Sequence, residues 1–199
     1  MINNFNFFCY RLKKSKYGSH YLYISEDNRE FITFYPLTID CQNYEHIFRL
    51  KKWRQLNKKY FYSKNYITYL STNEYLKKYI NSKKLRMIFY IKYKKSFIGH
   101  FELSNLSKDN KSLEITYILR GTKKYKGKMS DAINLISKLL TLKFKFKDLF
   151  IKVEKKNLRA INFYKRNNYY LYKKLNKILV FRFNNKKNNR KYKYHEIIK

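Results

Sequence analysis

Between Lys123 and Ala132 the chain reads KKYKGKMSDA, four lysines set around one glycine immediately ahead of a helical apolar pattern. The first turn of a helix carries backbone amides with no intrahelical partner, and the helix dipole adds positive potential at that end. The backbone from Tyr125 to Met129 therefore offers N–H groups to an anion, with Gly127 permitting close approach and Lys123, Lys124, Lys126 and Lys128 adding charge. Residue types and order point to a phosphate-bearing ligand. Taken singly, each lysine equally fits a solvated turn in a lysine-rich chain.

Small residues are the second marker. The chain holds four glycines and two alanines, Ala132 and Ala160. Ala132 follows the lysine loop, and Ala160 lies in KKNLRAINFYKRNNYY, between Asn157 and the pair Phe163–Tyr164. A composition this poor in alanine retains it where a side chain cannot fit. Metal chemistry is not expected. Cys9 and Cys41 stand alone without CxxC spacing, and His20, His46, His100 and His195 are scattered.

The chain that must position these residues has 199 of them, which suggests one domain. Its apolar fraction of 44% is ample for a core, and with 22 Tyr and 16 Phe that core must be built from rings. Lys and Arg number 47 against 13 Asp and Glu, a formal charge of +34. Such a charge implies a polyanionic partner. Abundant Lys, Asn, Ile, Tyr and Phe with scarce Gly, Ala and Pro also match drift toward A/T-rich codons, and the field exists whatever its origin. No run of 18 apolar residues reads as a membrane span, and MINNFNFFCYRLKK lacks the parts of a signal peptide, so a cytoplasmic protein is expected. Oligomeric state stays open.

Periodicity gives the elements. HYLYI and REFITFY flank SEDN, a hairpin signature, with the second strand ending near Pro36. Apolar spacing predicts a helix from Cys41 to Trp53. STNEYLKKYI predicts another from Asn73 to Asn81, with Ser71 or Thr72 as N-cap and Glu74 completing a capping box. RMIFYIKYK, SFIGHFELSN and SLEITYIL form an antiparallel meander, and alternation puts Glu114 and Thr116 on one face of the last strand. A helix through DAINLISKLLTLKF, a strand LFIKVE, a helix NLRAINFYKRN and strands YYLYKKL and KILVFRF follow. The expected fold class is α+β, a mostly antiparallel central sheet with flanking helices. Residues 1–30 read as an N-terminal extension with a possible hairpin, 31–183 as the main domain, and 184–199 as a basic flexible tail dispensable for activity.

Two motifs in this order resemble the GNAT acetyltransferase superfamily. KKYKGKM is similar to the family's pyrophosphate loop, Arg/Gln-x-x-Gly-x-Gly/Ala, with Lys124, Gly127 and Met129 at the three defining positions. NLRAINFYKRNNY is similar to the family's Asn-x-x-Ala/Ser-x-x-x-Tyr-x-Lys/Arg-x-Gly-Phe/Tyr, matched by Asn157, Ala160, Tyr164, Arg166 and Tyr169, with Asn168 in place of the glycine. Asn tolerates positive φ better than most residues, so that exchange is mild. The resemblance spans residues 31–183 and implies the GNAT fold, acetyl-CoA as co-substrate and no metal.

It also implies residue roles. Lys124, Tyr125, Lys126, Gly127, Lys128, Met129 and Ser130 would hold the pyrophosphate; Ile118 and Leu119, at the end of the preceding strand, would also bind the cofactor, and backbone N–H groups near Tyr117 to Leu119 would hold the acetyl carbonyl as an oxyanion site. Asn157, Ala160, Phe163 and Arg166 would line the arm from the last helix. Tyr164 would protonate the departing thiolate, and Glu114 would take the acceptor's proton, with Glu102 and His100 as fallbacks. LKKWRQLN followed by STNEYLKKYI resembles a branch that acetylates amino sugars carried on UDP and is related to the ribosomal-protein N-terminal acetyltransferases. Trp53 and Arg54 match it, and Tyr75 stands where that branch often has His, making these three the expected acceptor contacts. An anionic nucleotide-linked amino sugar suits a +34 surface better than a basic ribosomal protein does. The alternative from another class is a nucleic-acid-binding protein on a degenerate acetyltransferase fold, since basic residues interleaved with aromatics fit single-strand binding. Intact Gly127 and Tyr164 weigh against it, and nucleic acid is not required as a partner.

Overall fold

Alternating ring-bearing and branched residues draw nine strands into one sheet in the computed structural model, which describes residues 3–26, 31–60, 66–82, 86–109, 111–185 and 192–198. In chain order these are β1 (His20–Glu26), β2 (Ile32–Pro36), β3 (Met87–Tyr93), β4 (Ser96–Ser104), β5 (Ser112–Arg120), β6 (Asp148–Glu154), β7 (Tyr169–Lys174), β8 (Ile178–Phe183) and β9 (Tyr192–Ile198). The spatial order is β7-β8-β6-β5-β4-β3-β2-β1-β9. Every described pairing is antiparallel except β5 with β6, which run parallel.

Among the described residues five α-helices cover the sheet: α1 (Asn3–Lys14), α2 (Tyr44–Leu56), α3 (Tyr69–Ile80), α4 (Lys128–Leu142) and α5 (Leu158–Arg166). Successive residues of β3 show why both faces need cover. Met87, Phe89, Ile91 and Tyr93 join the core under α1, α4 and α5, while Ile88 and Tyr90 join the core under α2 and α3. A strand buried on both faces reads as a continuous apolar run, as MIFYI does.

The caps explain where the helices start. Asn43 accepts from the His46 amide at 3.2 Å to open α2. Thr68, rather than Ser71 or Thr72, caps α3: its hydroxyl accepts from the Ser71 amide at 3.0 Å, and the Ser71 hydroxyl accepts from the Thr68 amide at 2.9 Å. The box is closed by a serine instead of Glu74, which moved the expected start one turn too late. Asn157 caps α5 by accepting from the Ala160 amide at 3.1 Å.

The sheet runs past both expected domain boundaries. The strands of the N-terminal hairpin pair as anticipated, β1 against β2, with the turn residues 27–30 outside the described residues. Ahead of them α1 is a helix the sequence reading did not anticipate. Phe5 is fixed by edge contacts to Phe144 and Phe146, with centroids 4.8 and 4.9 Å away. The segment expected as a flexible tail carries β9, which pairs with β1 from His20–Ile198 to Glu26–Tyr192.

Candidate active site

The parallel pair β5–β6 is where the sheet opens. Their register covers Ser112–Asp148, Leu113–Leu149 and Glu114–Phe150, and then stops although both strands continue. A bulge causes the divergence: His100 pairs Leu119 while Glu102 pairs Thr116, so Tyr117 and Ile118 together oppose Phe101 alone. Tyr117 takes φ of +47° there, an uncommon conformation for an aromatic residue. The gap widens into a cleft of about 1970 Å³, lined by the end of β5, the start of α4, the inner face of α5 and the C-terminal end of α1.

At one end lies the lysine loop. Gly127 has φ of +85° and ψ of −32° and caps α4, its carbonyl accepting from the Ser130 amide at 2.8 Å and the Asp131 amide at 3.1 Å. The amides of Lys128 and Met129 precede these and have no intrahelical acceptor. A Cβ on Gly127 would meet nothing within 4 Å, so glycine is required by its backbone conformation and by whatever approaches it, not by packing. Tyr125, Lys126, Gly127, Met129 and Ser130 line the cleft; Lys124 and Lys128 do not. Lys124 lies over the ring of Tyr125, and Lys128 pairs with Asp131 at 3.2 Å and covers Tyr93, so both expected pyrophosphate contacts point elsewhere. The loop fits a phosphate-bearing ligand through its backbone and Lys126.

Ile118 and Leu119 from the end of β5, and Asn157, Ala160, Phe163, Tyr164 and Arg166 from the start and body of α5, all line the cleft. Ala160 is half-buried on the wall, where a longer side chain would occupy the channel. Asn168, at the position of the motif's glycine, has φ of +61°, the conformation that makes Asn an acceptable substitute. Beside it Asn167, which the sequence reading passed over, is buried and donates to the Phe163 carbonyl at 2.6 Å while accepting from Asn134 at 2.8 Å, tying α5 to α4.

Tyr164 lies on the lining with its ring packed against Phe163, Tyr169 and Phe181. Among the described residues nothing hydrogen-bonds its hydroxyl, whereas the neighbouring phenol of Tyr169 is engaged by Ser137 at 2.6 Å. Burial holds the Tyr164 phenol well above its ordinary range, so it is protonated at neutral pH. A protonated donor without a protein partner, set in a channel wall, is suited to a proton acceptor on a ligand.

The expected base falls outside the cleft. Glu114 is buried, accepts from Asn105 at 2.8 Å and pairs with Lys152 at 2.9 Å, and it is not on the lining. Of the fallbacks, His100 is fully buried, stacked on Trp53 at 5.8 Å, and its pKa falls to about 3 through burial and the nearby Arg54 charge. Glu102 does line the cleft, but Arg86 holds it at 2.7 and 2.9 Å and the Tyr75 hydroxyl donates to it at 2.8 Å. With both oxygens engaged by Arg86 and Tyr75, Glu102 is placed as an anchor.

The expected acceptor contacts are likewise structural. Trp53 is buried between Tyr90, His100 and Gly121. Arg54 donates to Thr72 at 3.2 Å and covers the ring of Tyr75, which lies between Arg54 and Arg86 at 4.8 and 5.5 Å. None of the three lines the cleft. What sequence reasoning missed at this end are Lys13, Arg86, Ser104, Asn105 and Arg120. The signal for Lys13 was present: Phe5, Phe8, Cys9 and Leu12 recur at helical spacing. In total the lining carries eight Lys and Arg side chains (Lys13, Arg86, Lys108, Arg120, Lys126, Lys152, Arg159, Arg166) against Glu102 and Glu154.

Comparison with known proteins places this geometry. Residues 31–169 match the family model of the acetyltransferase (GNAT) domain. A search among curated protein sequences finds no significant match. Among solved structures, the N-acetyltransferase PseH of Campylobacter jejuni is 20% identical, covers 77% of this chain and 98% of its own, and superposes with a TM-score of 0.57. RimL, a ribosomal L7/L12 alpha-N-protein acetyltransferase in complex with coenzyme A, is 16% identical over 80% of this chain and 96% of its own, with a TM-score of 0.61. The spermidine N-acetyltransferase of Vibrio cholerae, with coenzyme A and spermine, is 17% identical over 76% and 92%, with a TM-score of 0.59. At such identities the likeness concerns the fold.

Proposed function

The chain belongs to the GNAT acetyltransferase family, and from that premise we propose that it moves the acetyl group of acetyl-CoA to a primary amine on an anionic acceptor, a nucleotide-linked amino sugar. The observation that carries the acceptor class is the lining of the cleft, eight basic side chains against two carboxylates. An anion is drawn into such a channel, whereas a polyamine or the basic end of a ribosomal protein is repelled.

Acetyl-CoA supplies an activated acyl group as a thioester. The Tyr125–Met129 backbone and Lys126 bind its phosphates, and the walls formed by Ile118, Leu119, Ala160 and Phe163 orient the arm and exclude water. The acceptor nitrogen forms the new C–N bond as the C–S bond breaks. The electron pair leaves on sulfur, the Tyr164 hydroxyl delivers the proton that neutralises it, and the surplus proton of the attacking nitrogen passes to solvent, from which the phenol is restored. Both carboxylates on the lining are already ion-paired, Glu102 with Arg86 at 2.7 Å and Glu154 with Lys156 at 3.0 Å, and Glu114 lies off it, so among the described residues no free carboxylate is placed to deprotonate the acceptor. The amine therefore reacts from its neutral fraction.

The test is turnover of acetyl-CoA by the full chain against UDP-4-amino sugars, N-terminal peptides of ribosomal proteins and polyamines. The highest kcat/KM is expected with a nucleotide-linked amino sugar; preference for a peptide or polyamine would overturn the acceptor class while leaving the family intact.

A further inference from the structure

Part of the cleft wall is built by α1, through Cys9, Tyr10 and Lys13, and α1 lies outside the stretch matched by the family model. Three charged side chains meet there: Lys13, Arg86 and Glu102. Glu102 is already saturated. One oxygen accepts from Arg86 Nε at 2.7 Å, and the other accepts from Arg86 Nη2 at 2.9 Å and from the Tyr75 hydroxyl at 2.8 Å. This fork spends one edge of the guanidinium and leaves Nη1 without a partner among the described residues. Lys13 donates to the Ser82 carbonyl at 3.3 Å and sits 4.9 Å from the centre of the Tyr79 ring. Among the described residues no carboxylate lies within ion-pair distance of it. Burial, and then the charge of Arg86, pull its ammonium below the ordinary lysine range, and the nearby Glu102 only partly opposes them.

Two cations share one carboxylate whose acceptor sites are used, so the pocket retains a positive charge that a ligand can meet. The amine to be acetylated carries the wrong sign for this place. Taking the acceptor class proposed above as given, we infer that Lys13 and Arg86 form the seat for a phosphoryl group of the acceptor, and that Lys13 is the specificity-determining residue. Arg86 presents its open edge to phosphate oxygens and Lys13 adds a point charge beside it. Glu102 and Tyr75 then position Arg86, which gives the buried carboxylate a purpose other than catalysis.

Calorimetric titration of UDP into the full chain saturated with coenzyme A isolates this seat, because the lysine loop is then filled. Wild type should bind UDP, Lys13→Ala should weaken it by about tenfold or more, and Lys13→Arg should stay within about threefold. Coenzyme A affinity and melting temperature should be unchanged in both variants. Wild-type UDP affinity in Lys13→Ala, or failure of the wild type to bind UDP, overturns the inference. Turnover separates it from the acceptor class. A UDP-4-amino sugar acetylated by Lys13→Ala at unchanged KM leaves the function standing and removes this seat. Acetylation of peptides or polyamines alone removes both.

Discussion

The indole of Trp53 lies directly against Gly121, where a Cβ would sit 2.3 Å from Cε2 and 2.5 Å from Nε1. The same ring stacks on His100 and meets Tyr90 edge-on, and the residue after its helix, Asn57, donates to the Arg120 carbonyl at 3.1 Å. Trp53 is thus a wedge that fixes where β5 leaves the sheet and the lysine loop begins. Gly121→Ala should destabilise the protein by about 1–3 kcal/mol through overpacking. Trp53→Ala should cost about 3–5 kcal/mol through the cavity it leaves. Urea unfolding measures both, and a Trp53→Phe variant that keeps its stability but loses acceptor binding would restore the contact role expected from sequence.

Gly127 makes the opposite prediction. Space is open around it, so the penalty of Gly127→Val comes from φ of +85° and from the ligand. Stability should fall by about 1–2 kcal/mol, as expected for a side chain forced to positive φ. The KM for acetyl-CoA should rise by about tenfold or more as a branched side chain obstructs the loop amides. An unchanged KM in a folded variant would remove the loop from cofactor binding.

His100 sets an acid limit. Its folded pKa of about 3 lies below the ordinary 6.5, because burial and then Arg54 oppose the charged form. Between these values the unfolded chain binds a proton that the native chain does not, so stability falls as pH falls, by up to about 1.4 kcal/mol per unit. His100→Phe keeps a ring on Trp53 and should flatten the stability profile between pH 6.5 and 3. Parallel profiles for the two proteins would assign the acid sensitivity to other groups.

Legibility from sequence followed how local each signal was. The meander, α4, α5 and the loop between them follow from periodicity over neighbouring residues, and Gly127, Ala160 and Tyr164, singled out there, all line the cleft. Glu114 was put on a face correctly, but which face opens on the cleft depends on the bulge at Tyr117, which no local pattern announces. Trp53 and Arg54 match a motif, yet packing against Gly121 and Tyr75 decides their use. The ends were misjudged for a related reason. The alternation in the segment of β9 is weak until β1 supplies an edge to pair with, and the helical spacing of Phe5, Phe8, Cys9 and Leu12 in α1 gains its meaning only from Phe144 and Phe146, which receive Phe5.

The hydroxyl of Tyr164 carries the central claim, and the rate constant of Tyr164→Phe tests it most directly. No described residue bonds that hydroxyl, so its loss should leave stability and acetyl-CoA affinity nearly unchanged. Loss of a general acid should lower kcat by about 10²–10⁴ with chemistry rate-limiting. Burial holds the phenol protonated well above its ordinary range, so the wild-type rate should rise with the neutral fraction of the amine and show no decline up to about pH 10, where an unperturbed phenol would begin to ionise. A kcat within about fivefold of wild type would contradict the account and leave the thiolate to depart without a proton from Tyr164.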